Sequence, residues 1–485
     1  QGIPAFGCTR LLNASGTVGC QALDQVYGVL YEVNNAADVQ SFLTVSGTER
    51  YVIVMPLGML NRPTIAQLRG TGQLSAIILI KDSTTPVPSN FSVATTCPNC
   101  QYGLYANQSS STWHQWNPLG SALASENFDF PIFGLSPQTD GYFQAIGSVR
   151  EATRANRASG YSNYPLYAMQ FDSAMWAAVD SSTCLRRGWC SPIGGISIWS
   201  SYSPNITRND GKPIIIVAAK LDATAFFHDL AVGASSTLTG IVTSLAVADA
   251  LAKVRGAVST GYNISNFPKH IVFTHFTGEV WGFAGSQRFV SDISTPFVCR
   301  DTSPGPTTNC PLQGAVCVDP CMPDTEFTRL NLNAIESIVE FDSVGGLYLP
   351  DPTTAPTIYM HADNPADAGT AALLARFGGT APPLMFNSSG PVAVTVTPAF
   401  NLAAGGVNVR LPPSSAMAFL ATRSIPAVVF ADYRDQYSNP YFGSEFDDGS
   451  TYNDTHVAIM CSLANVTAQA LWVSASGNAT APPSV

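Results

Sequence analysis

Four short runs between residues 213 and 432 are rich in β-branched and aromatic residues, and each gives way to a charged residue. They are Pro213-Ile-Ile-Ile-Val-Ala-Ala before Lys220, His270-Ile-Val-Phe-Thr-His-Phe before Glu279, residues 338–341 before Asp342, and Ala427-Val-Val-Phe-Ala before Asp432. Runs that are apolar at successive positions, rather than alternating, are strands covered on both faces, which is how parallel sheets read. After the first run, residues 237–254 carry Leu238, Ile241, Val242, Leu245 and Ala248 at helical spacing, behind the capping residues Ser235, Ser236 and Thr237. A helical segment near 329–337 leads into the third run. Strand–helix–strand alternation of this kind predicts a mostly parallel sheet covered by helices.

The first half has its own pattern. Tyr51-Val-Ile-Val-Met-Pro-Leu and Ser75-Ala-Ile-Ile-Leu-Ile read as buried strands with a helical stretch at 63–69 between them. The expectation is a bilobed α/β protein, with a smaller N-terminal α/β lobe over residues 1–204 and a large lobe over residues 205–485. A cysteine-bearing surface insertion at about 297–323 interrupts the large lobe.

Composition says where such a protein works. Hydrophobic residues make up 46% of the 485, ample for a core, but charged residues only 12%, about half the usual share of roughly 25%. Nine Asn-x-Ser/Thr sequons, at Asn13, Asn90, Asn107, Asn205, Asn263, Asn387, Asn453, Asn465 and Asn478, would supply by glycans the solubility that charge does not. Ten of eleven cysteines fall in close local groups: Cys8 and Cys20, Cys97 and Cys100, Cys184 and Cys190, then Cys299, Cys310, Cys317 and Cys321. Disulfide-stapled loops beside sequons predict a secreted or lumenal glycoprotein. The net charge of −10, with no Lys/Arg block, argues against nucleic acid as a partner. No run of 18 apolar residues is present, so no membrane span is expected. Gln1 follows no leader pattern, which we read as a signal peptide already removed.

Sites in open α/β sheets lie beyond the carboxyl ends of the strands. Those positions hold Lys220 and Asp222, Glu279, Asp342, and Asp432 with Asp435. Lys220-Leu-Asp222, Gly233-Ala-Ser-Ser-Thr-Leu-Thr-Gly240 and Gly278-Glu-Val-Trp-Gly-Phe-Ala-Gly-Ser286 resemble, in order, the skeleton of co-catalytic zinc aminopeptidases. The turns match and the ligands do not. The resemblance puts a histidine where Lys220 stands, a metal-bridging aspartate at Ser236, a ligand glutamate at Val280 and a further ligand aspartate at Asp342. Catalytic zinc needs three or more His, Asp, Glu or Cys ligands, and the six histidines do not fall at these strand ends; His275 reads as a core residue. The large lobe is therefore expected to be aminopeptidase-like in fold, a pseudo-enzyme with vestigial positions Lys220, Asp222, Ser236, Val280 and Asp342, and without metal or cofactor. The alternative, a secreted zinc aminopeptidase with other ligands, would need two histidines converging with Asp342.

Over most of its length the chain resembles the nicastrin family. The resemblance rests on Cys8-Thr-Arg-Leu-Leu-Asn-Ala with Gly19-Cys20-Gln, on Trp116-Asn-Pro-Leu-Gly-Ser-Ala-Leu-Ala with Phe128-Asp-Phe-Pro-Ile-Phe133, on Pro165-Leu-Tyr-Ala-Met-Gln170 with Thr183-Cys-Leu-Arg-Arg187, and on Val217-Ala-Ala with Leu221-Asp222 and Phe226-Phe227. It implies the non-catalytic lumenal ectodomain of a single-pass type I protein in γ-secretase. There it would sit beside presenilin and the other membrane subunits and act on type I membrane-protein stubs as a gate or as a reader of their N-termini. Glu279 would be the reader's carboxylate. Phe283 stands where the family has a tyrosine, and Gly282 where it has an aspartate. The expected disulfides are Cys8–Cys20 and Cys184–Cys190. Cys97–Cys100 reads as structural, the four cysteines from Cys299 to Cys321 allow three pairings, and Cys461 is left buried and free. Lys220 itself suggests an ammonium neutralising Asp222, Glu279 or Asp342 where a metal once stood. The plainer readings are a turn cap for Glu279, structural pairing for Asp222 and Asp342, and an N-cap for Ser236.

Overall fold

The computed structural model describes residues 3–13, 16–22, 25–161, 166–171, 180–204, 206–256, 263–294, 329–348, 356–400, 408–450 and 452–478. Cys299, Cys310, Cys317, Cys321, the 297–323 insertion and Asn205 lie outside them.

The four runs form the middle of an eight-stranded sheet. Ala427–Ala431, Ile335–Phe341, Ile214–Lys220 and His270–Phe276 lie side by side in that order, all parallel. Thr357–His361, Thr395–Pro398 and Gly379–Thr380 extend one side, and Ile198–Ser201 closes the other, antiparallel to His270–Phe276. The eight-stranded sheet thus begins before residue 204. Both faces are covered. Ile215, Val217, Val339 and Val428 face the helices Thr239–Gly256, Ala368–Phe377 and Asp454–Ser476. Ile214, Ile216, Ile338 and Val429 face Ala284–Ser294 and Ala416–Thr422.

Two local expectations are corrected. Residues 335–337 belong to the third strand, preceded by one 3-10 turn, Leu332–Ala334, rather than by a longer helix. The helix Thr239–Gly256 is present, but its leucine stripe is not the face that packs: Leu238, Val242 and Leu245 are exposed, whereas Thr239, Thr243, Ser244, Val247 and Leu251 are buried. Close approach explains the inversion. A Cβ on Gly240 would stand 2.6 Å from the Phe341 carbonyl oxygen, so only small and hydroxylated residues fit against the strand ends. Ala234–Lys253 and Asp454–Ser476 are long and apolar enough to cross a membrane, yet within an 18-residue apolar stretch of each, 56% and 61% of the residues are buried inside the lobe.

The small lobe is a six-stranded sheet. Its order is Phe6–Gly7, Ile132–Leu135, Leu74–Ile80, Tyr51–Pro56, Val26–Glu32 and Ala168–Phe171, with the inner four parallel and the outer two antiparallel. The expected helix runs from Arg62 to Gly70, with the Asn61 side chain accepting from Thr64 N at 2.9 Å. The bilobed α/β architecture is as expected.

The lobes interlock. Phe226, Phe227 and Leu230, which follow the strand Ile214–Lys220, are buried in the small-lobe core with Phe128 and Phe130. Gly134 makes the room, since a Cβ there would lie 2.6 Å from the Phe227 ring. Beside this insertion, Phe91 N donates to Pro440 O at 3.0 Å, Ser92 Oγ to Phe442 O at 2.6 Å, and Tyr441 OH to Pro88 O at 2.7 Å.

Cys8–Cys20 and Cys97–Cys100 are disulfides. Cys184 and Cys190 are not bonded to each other, contrary to expectation. The turn after the helix Ser181–Arg186 leaves their thiols in hydrogen-bond contact, and that contact, with burial, pushes the Cys190 thiol up to about 11. Cys461 is free but only half-buried. Of the sequon asparagines, Asn90, Asn107, Asn263, Asn387, Asn453 and Asn478 are exposed, and Asn465 is half-buried within Asp454–Ser476; Asn13 ends the strand Leu11–Asn13.

Candidate functional site

Parallel register brings the strand-end residues together, and each acid finds a different partner. Lys220 ends its strand one position beyond the Ala219–Phe341 pair, so its side chain meets the residue after Phe341. Lys220 Nζ lies 2.5 Å from Asp342 Oδ1, with both side chains largely buried, and Tyr433 OH donates to Asp342 Oδ2 at 2.5 Å. Burial pulls the lysine down, but Asp342, Glu340 and Asp222 together hold it above its ordinary value. Of the three acids proposed for the lysine, Asp342 is the one it pairs with.

Asp222 turns to backbone instead. Its two oxygens accept from Glu279 N and Val280 N, each at 3.0 Å, and so cap the turn Glu279–Trp281. Val280 takes part only through that N–H, its side chain half-buried. Glu279 is 3% exposed. Ser286 occupies both of its oxygens, the backbone N–H at 2.8 Å from Oε1 and the hydroxyl at 2.8 Å from Oε2. Burial raises this carboxyl above the usual range despite those bonds.

Sequence reasoning missed three acids. Glu340 lies within the third strand, and its carboxylate accepts from Ser415 N at 2.9 Å and Ala416 N at 2.8 Å, at the head of Ala416–Thr422; burial pushes it up to about 7. A charged residue inside an otherwise apolar run was the signal. Asp447 accepts from Ser235 N at 2.8 Å, Ser236 N at 3.1 Å and Ser236 Oγ at 2.8 Å. Ser236 is therefore not an N-cap: it sits inside the π-type turn Ala234–Leu238, and its hydroxyl is spent on Asp447. Glu445 belongs to the lobe junction. Asp432, read as a strand-end acid, is buried, accepts from Gly346 N at 2.9 Å, and is pushed by burial up to about 7.

A strap from the small lobe closes over these groups. Asn99 donates to Glu279 O at 2.8 Å and accepts from Gly282 N at 3.2 Å, clasping the turn that carries Glu279. Farther along, Tyr105 OH donates to Asp363 at 2.7 Å while Arg410 lies over its ring at 4.1 Å. Trp116 packs edge-on against His361 and Tyr433. Phe283, at φ 59° and 3% exposed, packs with Met417 and Phe419 beneath the strap. His275 is a buried strand residue whose pKa burial lowers. Among the described residues, no three His, Cys, Asp or Glu side chains are grouped so as to hold a metal ion.

Residues 7–177 match the family described as the nicastrin small lobe, and residues 213–476 the nicastrin large lobe. The chain belongs to the nicastrin family. It is 31% identical over 458 residues to the nicastrin of Dictyostelium purpureum, covering 93% of this chain and 64% of that protein. It is 27% identical over 468 residues to human nicastrin, covering 92% and 58%. The crystal structure of the γ-secretase component nicastrin superposes with a TM-score of 0.75 at 28% identity, over 98% of this chain and 74% of that one. The chain thus spans about three fifths of the length of these two relatives.

Proposed function

We propose that this chain is the lumenal, non-catalytic ectodomain of a γ-secretase-like intramembrane protease, a subunit held by presenilin and the other membrane subunits of the complex. In this reading the large lobe is a disused aminopeptidase frame, and the bilobed mass excludes type I membrane-protein stubs whose ectodomains are too long. The observation that carries it is the Lys220–Asp342 pair, which puts an ammonium where the peptidase pattern has a metal ligand. A gate that works by bulk is favoured over a reader of N-termini, because Glu279 is buried and both its oxygens are engaged.

The test is cleavage by the assembled complex of stubs with graded ectodomain lengths, comparing wild type with Glu279→Gln. A gate gives the same steep loss with length in both. A loss of affinity for short stubs in the variant would replace the gate by the reader. Elemental analysis of the purified chain after exposure to micromolar zinc addresses the other class of function: one or two retained equivalents would return the large lobe to the metallopeptidases.

A further inference from the structure

Where the lobes interlock, one carboxyl stands out. Glu445 is 1% exposed. Its Oε1 accepts from Phe227 N at 2.7 Å, at the root of the aromatic insertion into the small lobe. Oε2 is buried and has no hydrogen-bond partner among the described residues. From the other lobe, Lys81 at the end of Leu74–Ile80 spends its ammonium on the Glu445 backbone carbonyl and on Asp448, 3.3 Å away, rather than on the Glu445 carboxylate. A charged Glu445 would therefore put one oxygen, unsolvated, beside the Phe226–Phe227 cluster, an arrangement that costs far more than the neutral acid.

We infer that Glu445 is a proton-operated latch on the lobe junction: as the neutral acid it lets the aromatic insertion stay seated, and as the carboxylate it drives the junction toward opening. Burial raises this carboxyl to about 7, with the N–H groups of Phe227, of Glu445 itself and of Phe226 and the Lys81 charge all pulling the other way. The other charged and titratable groups on the packed elements include Asp447, Asp448 and Tyr441 on its own segment, His228 and Asp229 on the inserted loop, and Asp82 beside Lys81, which is paired with Arg150. Asp448 is lowered by its hydrogen bonds and Lys81, against burial, and so titrates below the window. Burial lowers His228, so its protonation on the acid side acts with the opposite sign. The sign for Glu445 is fixed: the docked state holds a proton that the open state releases, so docking is tightest in acid and is lost as pH rises toward 7.

Hydrogen exchange read by mass spectrometry at residues 81–95, 223–231 and 439–448 tests this, on the whole chain, corrected for intrinsic rates. Comparison with Glu445→Gln removes the other titrations. The ratio of wild-type to variant opening is expected to rise about tenfold per pH unit between pH 5 and 7, then level off. Lys81→Met removes a cation that opposes the shift and should carry the levelling point to higher pH. A flat ratio from pH 5 to 8 would overturn the latch. An unmoved levelling point in Lys81→Met would also overturn it, and that measurement decides alone if Glu445→Gln does not fold.

Discussion

Two neighbouring parts of the same strand-end cluster hold their carboxylates in opposite ways. At one, Asp342 faces an ammonium, Lys220, and a phenol, Tyr433. At the other, a few residues away, Glu279 and Glu340 are held only by neutral donors, Ser286 and the N–H groups of Ser415 and Ala416. The first arrangement keeps charge by pairing it. The second cannot, and burial pushes both acids toward the protonated form. A pocket of this kind answers to the loss of its cation at one end and to pH at the other.

The largest effect should come from breaking the charged end. Lys220→Ala leaves Asp342 buried without its ion, which typically costs about 3–5 kcal/mol. Thermal melts should show it clearly, and Lys220→Met with Asp342→Asn should recover much of the loss. A single variant melting with wild type would mean that the pair holds nothing.

The neutral end should respond to pH rather than to loss of charge. Glu340 keeps its proton in the folded state up to about 7 and loses it when unfolded near 4.5. Its contribution is therefore full in acid and declines as pH rises between those values. Glu340→Gln lacks the decline, so its stability relative to wild type should improve by roughly 2–3 kcal/mol from pH 4.5 to 8. Parallel curves in denaturant titrations would erase the distinction between the two ends.

Smaller changes refine the contrast. Ser286→Ala removes one of the two donors of Glu279 and should cost about 1–2 kcal/mol, more at pH 8 than at pH 5, because only the ionised acid suffers fully. Asp222→Asn keeps one acceptor for the Glu279–Trp281 turn and should cost about 1 kcal/mol or less in a thermal melt.

How much of this could be read in advance depended on what each residue answers to. The parallel strands were plain, because burial on both faces forces apolar residues at every position of Ile214–Ala219 and Ala427–Ala431. Lys220 was placed among Asp222, Glu279 and Asp342 by the rule that parallel strands end together, and it took the strand register to single out Asp342. The leucine stripe of Thr239–Gly256 misled because periodicity reports which residues share a face, not which face the sheet can accept, and Gly240 decides the latter. Asp447 and Glu445 were invisible for another reason. Both act across more than 200 residues of chain, on Ser236 and Phe227, and no local pattern marks such a partner. Glu279 was expected to cap the turn after it; its carboxylate takes the Ser286 N–H in the first turn of the following helix, while Asp222 caps the turn in which Glu279 itself sits.

The glycine opposite Phe227 has a consequence for inheritance. Residue 134 lies in one lobe and the ring that fills its missing methyl lies in the other, so neither half can be exchanged freely between relatives. A chimera that brings a larger residue to 134, or a differently shaped side chain to 227, would join two sound halves at a joint that does not close. The two lobes have separate sheets, yet at this position they must be passed on as a matched pair.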